Sequence, residues 1–205
     1  MVLPSASISV LNRRQVLTGA MMAGIVAAVP SRALAMSNEV RLVDLAKREL
    51  DRNSRHVWLR DKVGIVDYSL PSKDPRFFLI NLENGTTQSY FVTHGRGSDP
   101  EHDGWLKSFS NEFASNASSR GAYVTRNYYE GKHGLSMRLD GLDPDNNNAE
   151  DRAIVVHGAA YANPDMITRW GKLGRSEGCF AFPQDNLVEV IARLGPERLL
   201  YSDRI

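Results

Sequence analysis

The sequence predicts a single β-rich α+β domain with two or three helices, and three observations support this fold class. Short runs of β-branched and aromatic residues are separated by Gly, Pro and Asp, which is the pattern of short strands. Asn84-Gly85 stands between two such runs and favours a tight hairpin, because this dipeptide tolerates positive φ angles. Residues 183–194 carry apolar side chains at helical spacing, with Pro at their start and Gly195 just beyond their end.

The other elements are predicted from the same patterns. Residues 38–52 place leucines at helical spacing among charges, so an N-terminal helix within residues 36–55 is expected to pack on the domain. A short helix is expected at residues 164–170. Strands are predicted, in chain order, at 63–69, 76–82, 121–129, 135–139, 154–157 and 198–201.

Residues 94–119 fit no regular element. The run is rich in Ser, Asn, Gly and acidic residues, with Trp105, Phe109 and Phe113 spaced through it. Loops of this length inside a compact domain are usually functional, as lids or binding surfaces. The spaced aromatic residues predict that the loop packs down onto the domain.

Residues 1–35 have the organisation of an export signal peptide. Arg13-Arg14 precedes an uncharged run, and Ala33-Leu34-Ala35 forms a small-residue cleavage site. The apolar stretch 16–29 is shorter than the roughly 20 residues that a membrane-spanning helix needs, so no stable membrane span is expected. The arginine pair resembles a twin-arginine (Tat) signal, which we favour over a general secretory signal. The prediction is a single domain over residues 36–205, exported to the periplasm or cell envelope.

Composition excludes several classes of protein. The chain of 205 residues is 42% hydrophobic and has one Cys, which excludes a disordered tail, a collagen-like repeat and a disulfide framework. Without the leader, 22 basic and 24 acidic residues remain, so there is no electrostatic reason to bind nucleic acid. In an oxidising compartment the lone Cys179 is either a buried small hydrophobe or a working thiol.

The neighbours of Cys179 favour a working thiol. Gly178 permits a sharp turn that presents the thiol, and Ser176 can hydrogen-bond within that turn. The thiolate is the reactive form and a free thiol ionises near pH 8.5, so a base is needed. His157 is the leading candidate, because it ends the most apolar run of the domain and precedes Gly158, which leaves space beside the imidazole. On these residues alone, a structural histidine is equally compatible.

A longer motif makes the interpretation specific. His157-Gly158 followed by Ser176-Glu177-Gly178-Cys179 resembles the signature of the murein L,D-transpeptidase catalytic domain family, the YkuD-like fold, commonly written His-Gly and then Ser-His-Gly-Cys. The resemblance covers residues 60–202 and implies a mixed β-sandwich with two or three flanking helices. Further segments resemble one branch of the family, at residues 93–98, 109–111, 118–121, 131–134 and 174–176.

The resemblance implies a cysteine-dependent acyltransferase of cell-wall biogenesis and cell shape that uses no cofactor and no metal. Cys179 would attack the diaminopimelate carbonyl of a peptidoglycan stem tetrapeptide and release D-Ala, with His157 transferring the protons. The Gly158 carbonyl would orient the imidazole, and amides near Gly178 and Cys179 would stabilise the oxyanion. An amine acceptor would then resolve the thioester as a 3-3 cross-link. Carbapenems, which mimic the acyl donor, are implied as inhibitors.

Two residues depart from the family pattern. Glu177 replaces the His of Ser-His-Gly-Cys, and Ala181 stands where Arg or Asn often follows the cysteine. A carboxylate beside the thiol would raise the thiol pKa, so we expect Glu177 to point away from the sulfur. The anchor for a substrate carboxylate is open between Arg175 and Arg96. The other residues assigned to substrate binding are His94, Ser118, Ser119 and Tyr161.

Three alternative functions are kept open. Water as the acceptor would make the protein an L,D-carboxypeptidase, and an unreactive thiol would make it a catalytically silent peptidoglycan-binding module. The third alternative is a zinc-dependent wall hydrolase, in which zinc would be bound by histidines from the set His94, His102, His133 and His157. The sequence has no His-x-x-x-His or Cys-x-x-Cys pair to support such a site. The sequence makes no prediction of oligomeric state.

Overall fold

The computed structural model describes residues 31–205, with side chains from residue 38 onward. Most of the predicted signal peptide, residues 1–30, lies outside the described residues. The helices are α1 (Ser31–Arg52), α2 (Asp165–Trp170) and α3 (Gln184–Leu194). The strands are β1 (Lys62–Asp67), β2 (Phe77–Asn81), β3 (Thr86–Tyr90), β4 (Gly121–Gly131), β5 (Gly134–Gly141), β6 (Val155–Gly158), β7 (Phe180–Phe182) and β8 (Leu199–Asp203).

The eight strands of the described chain form one sheet in the order β3-β2-β1-β8-β4-β5-β6-β7. The pairs β1/β8 and β6/β7 are parallel, and the other neighbours are antiparallel. The mixed sheet with its helices confirms the predicted β-rich α+β class. The expected sandwich is one continuous hydrogen-bonded sheet whose two faces are both covered.

Alternating side chains of the sheet enter two separate cores, because successive residues of a strand face opposite sides. In β1, Ile65 packs with the cluster under α1, whereas Val66 packs with the cluster that includes α3. Burial on both faces explains why β1 and β6 have near-continuous apolar runs. The buried apolar residues of the two helices are Leu42, Leu45, Ala46 and Leu50 from α1, and Leu187, Val190, Ile191 and Leu194 from α3.

Most elements lie where the sequence predicts them, with ends shifted by a few residues. The predicted hairpin between β2 and β3 forms, and Gly85 has φ 69°, but the tight turn is wrong in detail, because Asn84 has no positive φ and four residues, 82–85, separate the paired Asn81 and Thr86. Helix α1 begins at Ser31, earlier than predicted, so the proposed cleavage site at 33–35 lies within its first turns. Strand β7 was not predicted, because three residues are too few to show a period.

The long loop is irregular, as predicted, apart from a 3₁₀ turn at Arg96–Ser98. Phe109 packs against the core, with its ring centroid 5.9 Å from that of Tyr68. The loop packs down as predicted, with Leu106 4% exposed, but Trp105 and Phe113 are 45% and 59% exposed, so Phe109 is the aromatic residue that contributes to this packing. Among the described residues, no helix combines the length and apolarity needed to cross a membrane.

Candidate active site

A cavity of about 540 Å³ lies beside β6 and β7. It brings together six of the predicted site residues, which are Cys179, His157, Ser176, Tyr161, Arg96 and Arg175. The side chain of Glu177 also lines it. The sequence-predicted nucleophile and base therefore share one solvent-accessible space.

Strand pairing explains how Cys179 and His157 meet. In the parallel pair β6/β7, His157 lies opposite Ala181, and Cys179 precedes Ala181 by two residues. Cys179 lies in the bend that leads directly into β7, so this pairing brings its thiol into the same cavity lining as the imidazole. In the described structure, the Sγ atom donates to the Ala153 carbonyl oxygen at 3.5 Å, and no hydrogen bond joins it to the imidazole.

The turn that presents the thiol is held by Ser176. Its Oγ donates to the Cys179 carbonyl at 2.7 Å and accepts from the Gly178 amide at 3.2 Å. Gly178 has φ 115°, and a Cβ there would lie 2.7 Å from the Ala117 carbonyl oxygen. Only glycine fits this position without strain. The local role that the sequence predicted for both residues is what the structure shows.

The imidazole of His157 is fixed in one tautomer. Its Nδ1 lies 3.0 Å from the Gly158 carbonyl oxygen, which can only accept, so Nδ1 carries the hydrogen and Nε2 keeps its lone pair. The ring of His133 stacks on it, with centroids 4.2 Å apart and planes inclined by 21°. Burial is the main cause that lowers the pKa of His157 to about 4.

The thiol is shifted in the opposite direction. Burial raises the pKa of Cys179, and the carboxylate of Glu177 adds to that rise, while the Val155 amide and the Lys132 charge oppose it. At neutral pH the resting site therefore holds a neutral thiol beside a neutral imidazole. A neutral imidazole is the form that can accept a proton from a thiol.

The two arginines considered for a substrate carboxylate are engaged within the chain. The Arg96 Nη2 atom lies 3.0 Å from Oε1 of Glu177, and both side chains are more than half exposed. Arg175 donates to the backbone carbonyls of Asp99 and Pro100. The Glu177 carboxylate is thus directed to a guanidinium, and no hydrogen bond joins it to the thiol in the described structure.

Three predicted substrate-binding residues lie outside the cavity lining. Ser118 and Ser119 are buried, where Ser118 Oγ accepts from the Gly95 amide at 3.0 Å and Ser119 Oγ donates to the Ser110 carbonyl at 3.0 Å. His94 is fully buried as well. These three side chains hold the long loop, and the structure places none of them in contact with the cavity.

His94 bridges two charged residues. Its Nδ1 accepts from Nη2 of Arg76 at 2.8 Å, and its Nε2 lies 3.1 Å from Oδ2 of Asp99. Burial, followed by the Arg76 charge, lowers the pKa of His94 to about 3. The His94 carbonyl in turn accepts from the Ser176 amide at 2.9 Å, so this network supports the turn that carries Cys179.

Sequence reasoning missed several residues of the cavity. Arg152 uses Nη1 and Nη2 to hold the long loop, including a 2.7 Å bond to the Ala117 carbonyl against which Gly178 packs. Lys132 and His133 form the two-residue turn between β4 and β5. The Gly-Lys-His-Gly segment was a signal for this turn, whereas no local pattern marks Arg152. The other unpredicted lining residues are Tyr129, Ala153 and Val155.

No group of three or more His, Cys, Asp or Glu side chains is placed to hold a metal ion within the described part of the chain. The four histidines considered for a zinc site lie in three separate places. His94 lies in the buried network, and the His102 Nε2 atom lies 3.0 Å from the Leu173 carbonyl oxygen. His133 and His157 stack on each other in the cavity.

Comparison with known families identifies the chain. The model of the L,D-transpeptidase catalytic domain matches residues 35–202, so the chain belongs to this family. The match confirms the family that the His-Gly and Ser-x-Gly-Cys motifs indicated. No curated protein matches the chain.

Several solved structures are similar to the chain. L,D-transpeptidase 3 from Mycobacterium tuberculosis is 12% identical, with a TM-score of 0.44 over 70% of this chain and 61% of its own. An L,D-transpeptidase from Mycobacterium smegmatis is 12% identical, with a TM-score of 0.42 over 70% and 58%. Bd1075 from Bdellovibrio bacteriovorus is 13% identical, with a TM-score of 0.43 over 70% and 48%. The chain spans less than two thirds of the length of each.

Proposed function

We propose that the protein is a peptidoglycan L,D-transpeptidase that uses Cys179 as its nucleophile and His157 as its base. The observation that carries the proposal is the shared cavity, in which the lone cysteine of the chain lies with an imidazole whose Nε2 is free to accept a proton. The acyl donor is a stem tetrapeptide, and the third-residue carbonyl is the electrophile. No cofactor enters the reaction.

In the first half-reaction, the Cys179 sulfur forms a bond to the carbonyl carbon while its proton passes to Nε2 of His157. The Gly158 carbonyl holds the imidazolium, because Nδ1–H donates to it at 3.0 Å. The Gly178 amide already donates to Ser176, so we assign the Cys179 amide as the principal oxyanion donor. Collapse of the tetrahedral intermediate breaks the peptide bond, and His157 returns the proton to the departing D-Ala amine.

In the second half-reaction, His157 takes a proton from an amine acceptor, and that amine attacks the thioester. The new amide bond is a 3-3 cross-link, and the thiol is regenerated. The raised pKa of Cys179 and the lowered pKa of His157 keep both groups neutral at rest, so the thiol proton has to pass to His157 on the way to the thioester. We also propose export to the cell envelope, because the substrate lies there.

The test is mass spectrometry of the full chain incubated with a diaminopimelate-containing disaccharide tetrapeptide. Loss of D-Ala together with a cross-linked dimer is the expected result, and Cys179→Ala removes both. Carbapenem added to the same protein is expected to leave one covalent adduct on Cys179, which is absent from the Cys179→Ala variant.

Other outcomes would replace the proposal. Loss of D-Ala without a dimer identifies water as the acceptor and the protein as an L,D-carboxypeptidase. A folded protein that binds the donor and leaves it intact is a peptidoglycan-binding module. Activity that survives Cys179→Ala and is lost to a chelator identifies a zinc-dependent hydrolase.

A further inference from the structure

The cations that line the cavity differ in what they contact. Arg96 pairs with Glu177, and Arg175 donates to two backbone carbonyls. Arg152 gives both terminal nitrogens to four neutral oxygens of the long loop. Lys132 makes no hydrogen bond and no ion pair with any residue of the described chain, although it is part of the same lining. Among the four cavity cations, its ammonium is the group whose donors are all free of partners in the described residues.

The turn between β4 and β5 places Lys132 in the same cavity lining as Cys179 and His157. His133, the next residue, stacks on the imidazole of His157 with centroids 4.2 Å apart, which fixes the turn beside the base. The positive charge of Lys132 acts on both partners, because it lowers the pKa of Cys179 and the pKa of His157. An anionic group bound to Lys132 would therefore lie near the scissile carbonyl.

We propose that Lys132 binds a carboxylate of the acyl donor and so selects donors that are anionic near the scissile bond. The inference rests on the proposed function. Lys132 would then be the cation that anchors the substrate carboxylate, since Ala181 carries no charge and both candidate arginines already have partners within the chain. A lysine ammonium suits this role, because it is a point charge with three donors that can follow a carboxylate from a mobile stem. Two carboxylates of the donor fit the same chemistry, one on the diaminopimelate side chain and one on D-Ala.

The first experiment is independent of turnover. Iodoacetate and iodoacetamide both alkylate a thiolate with loss of iodide, and they differ in one carboxylate. Cys179 is the lone cysteine, so mass spectrometry of the full chain reports its reaction alone. The ratio of the two rate constants cancels any change in thiol pKa. At low salt, Lys132→Met is expected to lower the iodoacetate-to-iodoacetamide ratio at least about 2-fold, as for a partly exposed charge pair.

Two matched variants control this ratio. Lys132→Arg keeps the charge and is expected to keep the ratio near that of the parent. Lys73→Met removes an exposed lysine outside the cavity and is expected to leave the ratio unchanged. An unchanged ratio in Lys132→Met, or an equal fall in Lys73→Met, would overturn the proposal.

The second experiment identifies the carboxylate. Three tetrapeptide donors are compared, one with free carboxylates, one amidated on diaminopimelate and one amidated on D-Ala. Lys132→Met is expected to raise KM about 10-fold or more for the free donor, as for loss of a charge-assisted hydrogen bond. It should leave KM unchanged for the donor whose amidation removes the bound carboxylate. Equal losses on all three donors indicate a structural role and overturn the proposal. If the parent protein leaves every donor intact, the proposed function fails, and the alkylation ratio alone decides the role of Lys132.

Discussion

His94 and His157 are two buried histidines of one fold, and their surroundings differ in one respect that decides what each can do. Burial lowers the pKa of both, to about 3 for His94 and about 4 for His157, so both are neutral at physiological pH. His94 has both ring nitrogens occupied, by Arg76 and Asp99. His157 has Nδ1 bound to a carbonyl and Nε2 directed at no protein acceptor or donor of the described chain.

The comparison shows that a perturbed pKa by itself does not identify a base. His94 has the larger shift of the two and lies outside the cavity, whereas His157 combines a smaller shift with an available lone pair and shares the cavity with the Cys179 thiol. A fully bonded ring holds structure, and a half-bonded ring can transfer protons.

The largest expected effect is on the rate. His157→Gln removes the proposed base, so kcat/KM for release of D-Ala should fall roughly 10²- to 10⁴-fold, which is the usual contribution of a general acid-base residue. His94→Gln should destabilise the protein while its folded fraction retains most of the activity. Both values are measured at equal folded fractions, set by circular dichroism. Equal losses in the two variants would contradict the distinction between the histidines.

The next effect is on stability. Arg76 is fully buried and donates to the carbonyls of Val92 and Leu70 as well as to His94. Arg76→Met keeps most of its volume and leaves the Val92 and Leu70 carbonyls and His94 Nδ1 without their donor, so the free energy of unfolding should fall by about 3–5 kcal/mol. Urea denaturation measures this loss. Because the Arg76 charge helps to keep His94 neutral, nuclear magnetic resonance of the variant should show a raised pKa for His94.

Arg193→Met is the control for that variant. It removes an arginine with a half-exposed side chain, which pairs with Glu189 on α3, and surface ion pairs contribute about 0–1 kcal/mol. A similar loss of stability in both variants would show that burial of Arg76 has no special consequence.

A third effect appears on acidification. Both histidines have folded-state pKa values below the ordinary 6.5, so between those values the unfolded chain binds protons that the folded chain does not. The free energy of unfolding should therefore fall as pH falls from about 7 to about 5, by about 2 kcal/mol for each histidine. Urea titrations at these pH values test it. His94→Gln and His157→Gln should each reduce the fall by one histidine's share.

His56→Gln is the matched control for this measurement, since His56 is exposed. It should leave the pH dependence of stability as it is in the parent. If His94→Gln also leaves it unchanged, the neutral bridge between Arg76 and Asp99 is contradicted.

Much of the fold could be predicted from the sequence because its signals are local. The Asn84-Gly85 turn, the amphipathic pattern of α3 and the apolar run before His157 each depend on neighbouring residues. Strand β7 could not be predicted, because its three residues are ordered by pairing with β6. The exposure of Trp105 and Phe113 also depends on the path of the loop in space.

The residues of the candidate site also fall into two groups, those that a local motif indicates and those that only the folded chain brings together. Cys179, Ser176 and Gly178 belong to one short motif, and the structure joins them through Ser176 Oγ as the motif implied. Arg152 and the stacking of His133 on His157 involve residues far apart in sequence, so no spacing could indicate them. His94 was predicted to bind substrate, because a histidine beside glycines in a polar loop is typical of a binding residue. It is buried instead, because in the folded chain its ring bonds to Arg76 and Asp99.

The smallest expected effect concerns Glu177, the departure from the family motif. Its charge contributes to the raised pKa of Cys179, but the carboxylate is largely exposed and paired with Arg96. Glu177→Gln should therefore lower the pKa of the thiol only slightly, which iodoacetamide alkylation against pH can measure, because screened surface charges interact weakly. Arg96→Met should raise the same pKa, since it leaves the carboxylate without its cation. A large fall in Glu177→Gln would show that the carboxylate faces the sulfur in solution, and the neutral resting thiol would then depend on Glu177 more than on burial.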